Sequence, residues 1–193
     1  MTATAVHAQV DQETPYTRRA RYLTDENGFA FSWPAVPIHQ FLAERDRAFD
    51  AGSPSGLIAL DIRAELCTTY PATTPTLLCR YVKIRAGEQL RTAFAASGEI
   101  YYVMAGGGES RNGNDTIDWM TGDVFCFPGG GETLHRAGDG NCLLFAVTNE
   151  PLLAYERLRT PLPGQAVIET THWPAAEIER RFQEVWRRPV SAD

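Results

Sequence analysis

The chain has 193 residues, enough for one domain of ordinary size that buries roughly 70% of its unfolded surface without metal or disulfide staples. Hydrophobic residues make up 44% and charged residues 22%, which excludes disordered and fibrous classes. The formal charge is −6 and the basic residues are scattered, so nucleic acid is excluded as a partner for want of a concentrated basic footprint.

Residues 1–17 are small and polar without periodicity and read as a flexible arm; residues 18–193 read as a single domain with its β core at about 56–150. The opening lacks the charged start and apolar core of a secretory leader, and no apolar run reaches the ~20 residues of a membrane span. The expectation is a soluble, cytoplasmic protein with no membrane partner. Ile38 to Phe49 places Ile38, Phe41, Leu42, Ala48 and Phe49 on a helical period, ended by Gly52 and Pro54, and predicts a short amphipathic helix.

From Gly56 to about Glu150 the pattern becomes short β-branched and aromatic runs. Leu57–Ile62, Leu77–Ile84, Ile100–Met104, Thr116–Trp119, Val124–Phe127 and Leu143–Thr148 read as strands, separated by turns such as Gly106-Gly107-Gly108 and Asn112-Gly113-Asn114-Asp115. Six or more short strands without interposed helices predict an antiparallel barrel or sandwich. Cys67, Cys79, Cys126 and Cys142 have no CxxC spacing and read as buried free thiols. The tail from His172 returns to helix, with Pro174 in its first turn and Ile178, Phe182, Val185 and Trp186 as one apolar stripe, fit to cover the barrel or a dimer seam.

Two stretches between Gly87 and Asn141 resemble the two motifs of the cupin superfamily. Gly87, Glu99 and Gly106 keep the frame of the first, and Gly122, Pro128 and Gly130 that of the second. At the three histidine positions stand Ala93, Ala95 and Thr133. The pattern is most similar to the gentisate dioxygenase branch, in which a further histidine two past the metal ligand lies near substrate; His135 matches that one. The resemblance implies an all-β, single-domain jelly roll barrel (a double-stranded β-helix) with a short N-terminal helix and a C-terminal helix, forming a homodimer.

Alternation along the first motif predicts that Arg91, Ala93, Ala95, Glu99, Tyr101 and Val103 share the barrel interior with Thr133 and His135. Two methyls in place of two imidazoles would leave an apolar cavity for a small, partly apolar or aromatic molecule, with Arg91 available to hold a carboxylate. Glu99 and His135 fall short of the roughly three ligands of an iron or manganese site, so no metal and no cofactor is expected. Other readings stay open. Glu99, Tyr101 and His135 are residue types for metal-independent proton transfer of the isomerase, dehydratase or lyase kind. A dioxygenase-like enzyme with unusual ligands is another reading, and in a third the cavity is filled by Phe94, Trp119 or Phe125 and the protein serves interaction or structure. Glu99 could equally pair with Arg91 as a buried strut, while His7, His39 and His172 carry no assigned chemistry.

Overall fold

The computed structural model describes residues 14–20, 22, 24–26, 28, 37–162 and 164–187, so most of the 1–17 arm lies outside the described residues. The chain forms two compact units, 1–36 and 37–193. In the first, Thr17–Arg19 make a turn of 3₁₀ helix behind reciprocal hydrogen bonds between Thr14 and Thr17.

The second unit carries the β structure: β1 (Gly56–Leu60), β2 (Leu78–Ile84), β3 (Gln89–Thr92), β4 (Gly98–Ala105), β5 (Gly107–Asn112), β6 (Asp115–Met120), β7 (Val124–Pro128), β8 (Thr133–Ala137), β9 (Cys142–Thr148) and β10 (Thr171–Trp173). Four helices accompany them: α1 (Leu42–Phe49), α2 (Arg63–Leu66), α3 (Glu150–Glu156) and α4 (Ala175–Trp186). One sheet runs β1-β2-β9-β4-β7-β10 and the other β3-β8-β5-β6. The antiparallel pairs nest, with β2 on β9, β3 on β8, β4 on β7 and β5 on β6, as when one long hairpin is rolled up. That is the jelly roll, an arrangement of two sheets that encloses a core between their inner faces.

Period-two alternation builds that core. In β4, Glu99, Tyr101 and Val103 are buried while Ile100 and Tyr102 face outward, half exposed. Val82, Ile84, Phe125, Phe127, Leu144 and Ala146 join them from the same sheet, and Ile117 and Trp119 from the other. All six runs read as strands are present, with ends shifted by a residue or two; β3 and β8 fall on the motif segments whose alternation assumed extended chain, and β5 and β10 were not expected. The glycine run around Gly107 was read as a turn because glycine usually weakens strands, yet Gly107 and Gly108 pair with Met120 and Trp119 inside β5. Gly108 is needed there. A Cβ on it would fall inside van der Waals contact with the Arg136 carbonyl and 2.7 Å from the Trp119 ring. Gly108→Ala is therefore expected to lose about 3 kcal/mol by forced repacking, read as a lowered urea midpoint; an unchanged midpoint would show that the sheet yields at no cost.

The helices differ from expectation. α1 starts at Leu42 rather than Ile38, and Ile38 is almost fully exposed. α1 buries Ala48 against Ile58 and Leu143 on the outer face of the large sheet, and Lys83 donates to the carbonyls of Ala48 and Asp50 at its carboxyl end. α4 begins at Ala175, after Thr171–Trp173 form β10 and with Pro174 as its cap and not in its first turn, and Ile178, Phe182, Val185 and Trp186 are 39–77% exposed. Its stripe does not cover the barrel. The thiols are also mixed: Cys142 is buried, Cys79 and Cys126 partly so, and Cys67 exposed.

Candidate functional site

The interior of the barrel is set by β3, β4, β5 and β8. β3 ends at Thr92, opposite Thr133, and Leu90 lies opposite His135. Thr92, Phe94 and Ala96 are buried, whereas Arg91, Ala93 and Ala95 are exposed. The expected inward set of Arg91, Ala93 and Ala95 is thus out of phase by one residue. The cause is local: residues 93–97 belong to no strand, so alternation counted back from Glu99 does not carry through them. Arg91 pairs with Glu132 at the surface, not with Glu99. Glu99, Tyr101, Thr133 and His135 do face inward, at 0–4% exposure.

Those four belong to two adjacent networks of buried hydrogen bonds, one through His135 and one through Glu99. Trp119 Nε1 donates to Ser110 Oγ at 2.8 Å, and Ser110 Oγ lies 2.6 Å from His135 Nδ1. Nε2 of the same ring lies 3.3 Å from Thr92 Oγ1, so both ring nitrogens have a hydroxyl partner. The Tyr101 hydroxyl donates to Glu99 Oε2 at 2.6 Å. Glu99 Oε1 accepts from Thr133 Oγ1 and, at 3.4 Å, from Asn112 Nδ2. Burial lowers the His135 pKa to about 3, so the ring is neutral. Burial pushes the Glu99 carboxyl up, more than the bonds from Thr133, Tyr101 and Asn112 pull it down.

Around these networks the barrel centre is filled by aromatic side chains. Tyr101 stacks on Phe125 with centroids 4.9 Å apart, and the His135 ring meets Tyr101 edge-on, also at 4.9 Å. Trp119, Phe127 and Phe94 close the rest. The barrel centre, read from sequence as an apolar cavity, is therefore packed, and Trp119, Phe125 and Phe127 belong to its core.

Open volume lies instead at one mouth of the barrel, where β2 begins and β9 ends. A cavity of about 590 Å³ is bounded by Leu78, Arg80, Ala95, Glu150, Leu153 and the loop after α3. Ala95 is the one expected ligand-binding residue that lines it. Arg80 on its floor is buried, pairs with Glu150, donates to Thr148 Oγ1 at 3.0 Å and lies 4.3 Å over the Phe94 ring. Gly130, whose φ of +84° and near contact with the Pro161 carbonyl leave no room for a side chain, packs on the loop between the lining residues Thr160 and Leu162. The sequence reading missed Arg80. Its signal was present, since Arg80 sits between Leu78 and Val82 on the buried parity of an apolar strand. His172, assigned no chemistry, lies in β10 and pairs with Asp123 at 3.0 Å, beside the amino end of α4.

No known family profile matches the chain. The chain is 35% identical over 81 residues to 5-aminosalicylate 1,2-dioxygenase of Comamonas sp, a match that takes in 42% of this chain and 22% of that protein. It thus spans about a fifth of that relative's length. Among solved structures it is similar to salicylate 1,2-dioxygenase from Pseudoaminobacter salicylatoxidans, at 25% identity and TM-score 0.47 over 64% of this chain and 36% of that one. A cupin superfamily protein from Desulfitobacterium hafniense superposes at 14% identity and TM-score 0.38, over 50% and 79% of the two chains. The nested strand order, with the glycines at its turns, makes the fold a jelly roll. Among the described residues, no three His, Cys, Asp or Glu side chains come together as a metal site would require.

Proposed function

We propose that this chain is a binding protein rather than a metal-dependent oxygenase, and that it takes a small, partly apolar molecule into the cavity at the barrel mouth. One observation carries the reading: the barrel centre is packed with aromatic side chains, while a leucine-walled cavity with a buried arginine on its floor opens beside it. A volume of about 590 Å³ lies within the range of small-molecule sites. The names of the similar dioxygenases, which specify salicylate and 5-aminosalicylate, support a ligand of that size and character.

The donor set at the centre does not fit a metal ion. Both ring nitrogens of His135 are engaged by Ser110 and Thr92, and both Glu99 oxygens accept hydrogen bonds. A second reading, proton transfer by Glu99, Tyr101 and His135, is favoured by the Tyr101–Glu99 hydrogen bond and the ring contact of Tyr101 with His135; against it, all three are buried and none lines the cavity.

Ala154 is exposed on α3 and lines the cavity, so Ala154→Trp obstructs it without touching the core. In NMR titrations, wild-type protein is expected to bind indole in the millimolar range, about −4 kcal/mol, and the variant about tenfold more weakly at unchanged melting temperature. Absence of wild-type binding, or equal binding by the variant, would sink the reading.

A further inference from the structure

We infer that the ligand of the mouth cavity is an organic monoanion with an apolar body, and that its carboxylate takes the place of Glu150 on Arg80. This rests on the binding reading above. The cavity lining holds three charged side chains, Arg80, Arg159 and Glu150, so it carries one excess positive charge in a protein of net charge −6. Such a concentration against the overall sign favours an anion. The walls are otherwise mostly leucine, alanine and proline, which suits a ring or short alkyl chain rather than a phosphate or sugar.

The pair on the floor is built for exchange. The Arg80 side chain is only 9% exposed, and Phe94 beneath it and Thr148 beside it fix its orientation. Glu150 is the more open partner, at 21%, and stands at the first residue of α3. Beside Arg80, the carboxylate accepts from Thr148 Oγ1 at 2.8 Å, and its other oxygen is held by a single long bond, 3.3 Å, from the Ala95 N–H. Rotation of Glu150 toward solvent would uncover a guanidinium edge that a ligand carboxylate meets with two parallel hydrogen bonds. Arg80 is then paired both before and after the exchange, so neither end state strands a buried charge. Arg159, exposed on the rim, makes no ion pair among the described residues and is free to face the same anion.

Benzoate and benzamide share a shape and differ in charge, and their titration into the full chain by NMR or calorimetry separates the possibilities. Wild-type protein is expected to bind benzoate about tenfold more tightly than benzamide, a difference of about 1.4 kcal/mol. Glu150→Gln, which removes the competing carboxylate, should tighten benzoate several-fold and leave benzamide unchanged. Arg159→Gln, at an exposed position that does not endanger the fold, should weaken benzoate alone. Equal affinity for the two probes overturns the charge assignment while leaving the binding reading intact. Weaker benzoate binding by a folded Glu150→Gln overturns the exchange. If neither probe binds at millimolar concentration, the binding reading fails and this inference with it.

Discussion

Lowering the pH from 6.5 to 4 is expected to cost this fold about 3 kcal/mol through His135 alone, at 1.36 kcal/mol per pH unit. The sign follows from its depressed pKa. Unfolded chains take up a proton below about 6.5, whereas the buried ring stays neutral until about 3. Stability from this group is therefore full above 6.5 and is lost as pH falls toward 3. Glu99 acts in the opposite sense, because its carboxyl is raised above 4.5 in the fold and favours the folded state as pH falls through that raised value. The two must be separated by substitution. His135→Gln keeps hydrogen-bonding groups for Ser110 and Thr92 but cannot ionise. Urea unfolding at pH 7 and pH 4 should show the wild type losing about 3 kcal/mol more than the variant over that interval; parallel losses would show that the imidazole is not the source.

Replacing Glu99 by leucine should destabilise the protein by about 3–5 kcal/mol. The carboxyl is the common acceptor for Tyr101, Thr133 and Asn112, and removing it strands up to three buried donors at about 1–3 kcal/mol each, less what Thr133 and Asn112 recover from each other. For a chain of this length that lowers the melting temperature by about 10 °C. Glu99→Gln retains one acceptor oxygen and should lose less, while also removing the carboxyl's share of the pH dependence. A neutral Glu99→Leu would mean that the network contributes nothing to the fold. The expected partner Arg91 is not involved, so Arg91→Gln should leave the melt of either variant unchanged.

Much of this architecture was legible in the residues. The short aromatic and β-branched runs gave six strands, because alternation of buried and exposed side chains is a property of the single strand. Glu99, Tyr101 and Val103 were placed inward correctly for the same reason: they lie within β4, with no break between them. Gly87, Gly106, Gly122 and Gly130 all adopt positive φ, so the glycine frame marked true turns.

What the sequence alone determined, then, was what local stereochemistry controls: the strand-forming runs, their turns and the inward side of each unbroken strand. Only the tertiary structure decided the phase of residues 91–96, since alternation is not transmitted across the irregular segment before β4. It also decided the partner of Arg80, because Glu150 lies seventy residues away and reaches it through the pairing of β2 with β9. Above all it decided where the empty space is. Two missing imidazoles suggested a hollow centre, but Phe94, Tyr101, Phe125 and Trp119 pack into it from three strands and a connection, and the volume moves to the mouth. Cavity volume is a sum over side chains distant in sequence, set by close packing of the whole interior.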